Sequence, residues 1–210
     1  MALIRAGYTE EIWANREQCD WMFVDIGFST RQKSCAVLMD GGVPEVMEFR
    51  DLQATILQQL RKAELPLNLV VEAPLSVAFT DRGNPTPRSI EIQKGKMPRS
   101  WYVGAGAAVL LATTHLMRSA YETERSREVR LFEGFVSFKE KGAKSYHASD
   151  VQSLLDAVAS ARRELFVEPA RLKLNPTDVV ASAFVVAGMN FGVPPVIKGA
   201  PLPTIEAGRA

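Results

Sequence analysis

Two carboxylates stand where a folding chain tolerates them least. Asp25 lies in WMFVDIG (Trp21 to Gly27), and Glu72 lies in NLVVEAP (Asn68 to Pro74). Both runs are short, apolar and closed by glycine or proline, the pattern of strands buried on both faces. An ionised carboxylate in such a strand is costly unless it is paired or bound to a metal. If the two strands are parallel neighbours, both acids open into the crevice at the strand C-termini, where ligands bind in α/β sheets.

The surrounding pattern supplies such a sheet. Ser34 to Met39 reads as a second strand ending at the hairpin signal Asp40-Gly41-Gly42, and Glu45 to Phe49 reads as a third. Asp51 caps a helix to about Ala63, with Leu52, Ile56, Leu57 and Leu60 at helical spacing. Leu69 to Ala73 is the fourth strand and Val129 to Glu133 the fifth. Further helices are expected over 101–121, over 150–165 behind a Ser149 cap, and over 177–189. The order β-β-β-α-β-α-β-α-α predicts an α/β fold. Its mixed five-stranded sheet has an antiparallel meander of the first three strands, the fourth and fifth parallel to the first, and helices on both faces. The domain is expected over 20–198, with 1–19 as a polar lead-in and 199–210 as a loose tail.

Residues 75–100 differ in kind. Prolines and glycines punctuate a stretch carrying Arg82, Arg88, Lys94, Lys96 and Arg99, with a short alternating piece over 89–93 that reads as a strand. Loops of this length inside compact domains are usually functional. From Asp81 to Lys144 there are 12 basic and 7 acidic residues, against 13 and 17 elsewhere, so the net charge of +1 averages a basic middle with acidic flanks. That pattern is a weak pointer to an anionic partner.

Composition excludes several classes. With 210 residues, 47% of them hydrophobic and 23% charged, the chain can bury a full core and is neither disordered nor collagen-like. Two cysteines are too few for a disulfide framework. The N-terminal residues lack a basic-then-apolar leader pattern, and Val103 to Met117 falls short of a membrane span. The expectation is a cytoplasmic protein with no membrane contact.

Two more acids join the candidates: Asp178, opening the last predicted helix in NPTDVVASAFVVAG, and Glu133, closing the fifth strand in VRLFEG. Each has a plain alternative. An acid in a first helical turn is favoured by the helix dipole whatever its function, and Glu133 fits a surface strand end. Four converging carboxylates would demand a cation. His115 reads as a buried histidine of an apolar helix, and His147 as a cap or phosphate contact without support for a metal role. Cys35 reads as a core residue and Cys19 as a surface thiol. Gly104-Ala-Gly106 lacks the strand and third glycine of a dinucleotide loop and reads as close packing on the sheet. No Gly-x-Ser-x-Gly elbow occurs.

VDIGFS, VVEAPL and NPTDVVASAFVVAG together resemble the acid-bearing first strand, fourth strand and closing helix of the RNase H-like superfamily. The last segment is similar to the Asp-led helix of RuvC-type resolvases. Within the superfamily the chain most resembles a family of predicted nucleases, domain-of-unknown-function family 429, with LFEGF in place of its later Glu-ended strand. Gly134-Phe135 stands where that family often has histidine or proline, and Lys144 and Ser153-Leu154-Leu155 match its lysine and following helix loosely.

The resemblance covers about residues 21–192. It implies an RNase H-like sheet and a metal-dependent nuclease of DNA or RNA using Mg²⁺ or Mn²⁺, with two ions held by Asp25, Glu72 and Asp178. Glu133 would join the catalytic set. Arg82, Arg88, Lys94, Lys96, Arg99 and Lys144 would contact phosphates, and Trp101 and Tyr102 could stack on bases. A homodimer is compatible with this reading. Two rivals stay open: a non-catalytic binding module on the same fold, and an actin-like or sugar-kinase phosphotransferase suggested by Asp25-Ile-Gly27. The second would need two such domains.

Overall fold

The computed structural model describes residues 3–14, 18–27, 33–62, 65–92, 100–101, 103–136 and 146–200. Alternation along the first apolar strand, β2 (Asp20–Ile26), sets the layers. Met22, Val24 and Ile26 face one side, where they meet Leu52, Ile56 and Leu60 of α2 (Phe49–Arg61) and Leu116, Met117 and Ala120 of α3 (Ala105–Glu122). Trp21 and Phe23 face the other side, against Val151, Leu154, Ala157 and Val158 of α4 (His147–Ser160). A strand apolar on both faces can only sit between two helical layers.

The fold is α/β, as expected, and consistent with an RNase H-like arrangement. β2 pairs antiparallel with β3 (Cys35–Met39), which pairs antiparallel with β4 (Glu45–Met47). On its other side β2 runs parallel to β5 (Leu67–Glu72), and β5 runs parallel to β8 (Val129–Phe135). These are the five predicted strands in their predicted directions.

The sheet is wider than five strands. β1 (Ile4–Ala6) and β11 (Val196–Lys198) lie end to end along the outer edge of β8, and β9 (Phe166–Val167) pairs with β11. The lead-in thus supplies a sheet strand, followed by the short helix α1 (Thr9–Ala14). Strands of two or three residues are too short to show a period in sequence. At the other end, Gly199 and Ala200 donate backbone hydrogen bonds to Phe135 and Ser153, while 201–210 fall outside the described residues.

Two expectations fail in the C-terminal third and the insertion. Residues 177–189 form no long helix: Val179–Ser182 is a strand, β10, and Val185–Ala187 a single 3-10 turn closed by left-handed Gly188. β10 pairs with β6 (Ser76–Phe79), which pairs with β7 (Pro85–Thr86), giving a second three-stranded sheet. The paired valines favour strand once a partner edge is present, which overrides the local helical pattern. Ser89–Glu91, predicted as strand, is a 3-10 turn. The described part of the basic loop therefore supplies two of the three strands of this small sheet.

Three smaller expectations are also corrected. His115 is exposed, on the outer side of α3. Cys19 is buried and accepts a hydrogen bond from Asn68 Nδ2 at 3.1 Å. A Cβ on Gly106 would lie 1.6 Å from the Trp101 carbonyl oxygen, so this glycine packs on its own preceding turn instead of the sheet.

Candidate metal centre

β2 delivers Asp25 to the C-terminal edge of the sheet, on the α4 face, as the next alternation after Trp21 and Phe23. β5 delivers Glu72 beside it: Asp25 and Glu72 are register partners in a parallel pair, so their side chains share a face. Both are buried, at 2% and 8% exposure. The condition set by the sequence, parallel neighbours with both acids at one crevice, is met.

The third group comes from α4. The helix begins at His147, three residues before its predicted start, and Tyr146 at its N-cap makes no side-chain capping bond. His147 Nδ1 lies 2.6 Å from Asp25 Oδ2, and buried Asp150 follows one turn later. Residues three apart on a helix lie on the same face. One ligand atom each from Asp25, His147 and Asp150 lies within 4.8 Å of the others, the one such group found among the described residues. Two buried carboxylates and an imidazole form a donor set that could hold a divalent cation.

Glycines make this approach possible. A Cβ on Gly27 would lie 2.3 Å from His147 Cε1 and 2.3 Å from the Ser34 carbonyl oxygen, so only a bare α-carbon lets the imidazole cross the end of β2. A Cβ on Gly134 would lie 2.7 Å from Leu154 Cδ1 and 3.4 Å from the Glu72 α-carbon, which lets α4 settle onto β8 beside Glu72. Near the site, burial pushes the Cys35 thiol up to about 11, with the charge of Asp25 adding to the effect. Cys35 is thus the inert core thiol expected.

Other candidates lie elsewhere. Glu133 pairs in register with Val71, whose side chain belongs to the α2/α3 side, so it points away from Asp25 and Glu72. It is fully buried: Arg88 Nη1 donates to its Oε2 at 2.8 Å, and the Leu75 backbone N–H donates to the same oxygen at 2.9 Å. Burial pushes the Glu133 carboxyl above its usual range, and the Arg88 guanidinium opposes that shift. Asp178 is buried in a turn before β10, where its Oδ2 accepts the Asn175 backbone N–H at 2.8 Å, and it is not a member of the Asp25 group. With the 177–189 helix absent, the helix that brings an acid to the strand acids is α4, through Asp150.

Among the basic residues, Arg88 is corrected: it is 0% exposed and bound to Glu91, Glu133 and Ser76, so it cannot touch a phosphate. Arg82 is exposed at the tip between β6 and β7. Lys94, Lys96, Arg99, Lys144 and Tyr102 lie outside the described residues. Trp101 packs edge-on against Phe135 with ring centroids 5.0 Å apart, a boundary packing role. No helix among the described residues is long and apolar enough to cross a membrane.

Sequence reasoning missed Asp150 and gave His147 no metal role. The signal available was His-x-x-Asp in the helix after the fifth strand, KSYHASDVQSLL, read instead as a Ser149 cap. No protein-family model, curated protein or solved structure matches the chain.

Proposed function

We propose that the chain is a metal-dependent nuclease of the RNase H-like superfamily, hydrolysing phosphodiester bonds of DNA or RNA. The observation that carries this reading is the convergence of Asp25, His147 and Asp150, with Glu72 in register beside Asp25 at the C-terminal edge of a mixed sheet. Buried acids at one crevice need a counter-charge, and the oxygen-rich donor set suits Mg²⁺ or Mn²⁺.

In this reading Asp25, Asp150 and His147 would hold the metal, with Glu72 as a further carboxylate ligand beside Asp25. Bound divalent ions supply activation of a water and stabilisation of the leaving oxyanion. The protein's part is to fix the donors. β2 and β5 hold the Asp25 and Glu72 backbones in register, Gly27 lets His147 reach Asp25, and the first turn of α4 sets Asp150 on the same face. Arg82, Lys94, Lys96, Arg99 and Lys144 are the cations proposed to meet the phosphate backbone.

The test pairs calorimetric titration of Mn²⁺ with cleavage of a panel of single-stranded, duplex and branched DNA and RNA. Mn²⁺ binding and metal-dependent cleavage are expected, both lost in Asp25→Asn with the circular dichroism spectrum unchanged. Salt-sensitive nucleic-acid binding without cleavage would instead establish the binding-module reading. Absence of both metal binding and cleavage would sink the nuclease proposal.

A further inference from the structure

Glu133 is the family-expected site acid that the fold turns away from the crevice, and its surroundings show another use. Immediately after Glu72 the chain turns through Ala73, Pro74 and Leu75, all buried. The entry of this turn is held by Ala73 N–H donating to the Val71 carbonyl at 2.9 Å. Its exit is held at both backbone groups of Leu75: the N–H donates to Glu133 Oε2 at 2.9 Å, and the carbonyl accepts from Ala183 N–H at 2.9 Å.

Glu133 is itself locked. Arg88 Nη1 donates to it at 2.8 Å and to Ser76 Oγ at 2.8 Å, while Arg88 Nε and Nη2 donate to Glu91 Oε1 at 2.9 and 2.8 Å. Arg88, Glu91 and Glu133 are at most 1% exposed, so these charge-assisted bonds act without solvent competition. The neighbouring residue, Gly134, faces the other way, where a Cβ would lie 2.7 Å from Leu154 Cδ1 of α4. From β8, it is thus Glu133 that reaches the turn after β5.

We propose that Glu133 is a positioning residue of the metal centre and not one of its ligands: by accepting the Leu75 N–H it fixes the Ala73–Leu75 turn and so the placement of Glu72. This rests on the nuclease reading, in which Glu72 is a ligand. Outer groups that orient a ligand commonly change metal affinity by an order of magnitude without touching the metal.

The experiment is calorimetric Mn²⁺ titration of the full chain, with circular dichroism as the folding control, on wild type, Glu133→Gln and Glu133→Met. Gln keeps an acceptor for Leu75 N–H, whereas Met fills the space and accepts nothing. Mn²⁺ affinity is expected to stay within about threefold of wild type in Glu133→Gln and to weaken about tenfold or more in Glu133→Met. If Glu133→Met does not fold, Pro74→Gly takes its place, because it loosens the same turn without touching Glu133, and must weaken Mn²⁺ binding. Equal loss in Gln and Met would show that the carboxylate charge, and not acceptance from the Leu75 N–H, is what matters, and unchanged affinity in Met or in Pro74→Gly would remove any role; either result overturns the inference. A wild-type protein that binds no Mn²⁺ overturns the nuclease reading and this inference with it. The wild-type titration thus separates the two failures.

Discussion

The His147 imidazole lies so close over Gly27 that a single added methyl would have to push it, or the Ser34 carbonyl, aside. Gly27→Ala is therefore expected to cost about 1–3 kcal/mol by urea denaturation. It should also weaken Mn²⁺ binding at least as much as it perturbs folding, because the displaced group is a proposed ligand. The two C-terminal acids separate just as cleanly. Asp150→Asn should abolish Mn²⁺ binding in calorimetry, while Asp178→Asn, which keeps an acceptor for Asn175 N–H, should leave it intact.

Cys35 offers a pH test at the same scale. Its thiol is pushed up to about 11 by burial, from an ordinary 9.0. A raised folded-state value means that the native form holds the proton longer than the unfolded form. The associated stability is then complete below about pH 9 and lost as pH rises through about 11. The difference in unfolding free energy between wild type and Cys35→Ala should narrow by about 2 kcal/mol across that window. A difference that stays flat with pH would contradict this account of burial.

At the scale of elements, α4 decides the site. It starts at His147 instead of Asp150, and that shift of one turn brings an imidazole and a carboxylate to Asp25. Strong periodicity in Val151, Leu154, Leu155 and Val158 made the helix itself legible; its start was not, because Ser149 looks like a cap and takes no such part. Gly134 sets how near the helix can lie. Gly134→Val is expected to push Leu154 outward, costing about 1–3 kcal/mol in denaturation and weakening Mn²⁺ binding. The 177–189 segment shows the opposite case. Its valines and alanines spell a helix in isolation, but the free edge of β6 recruits them as β10.

At the scale of the whole molecule, the 75–100 insertion is joined to the main sheet by a buried ion network. Arg88, read from sequence as a phosphate contact, instead pairs with both Glu91 and Glu133 at the junction. Removing one member of a buried pair leaves uncompensated charge, so Arg88→Met should destabilise the protein by about 3–5 kcal/mol in urea denaturation at pH 7. A cost below about 1 kcal/mol would show that the junction does not depend on the network.

The α/β class and the five central strands were legible in the sequence, as was the oddity of Asp25 and Glu72; that the two acids share a crevice waited on their strands being parallel neighbours. Those features follow from local apolar runs and from the cost of burying a carboxylate in a strand. Which further groups join them depends on how the elements pack. Strand alternation turned Glu133 to the opposite face, an edge pairing drew Asp178 into a turn before β10, and packing of α4 over Gly27 and Gly134 brought His147 and Asp150 to the crevice. A side chain's face and its distant partners depend on which elements meet in space, and short sequence motifs carry no measure of that.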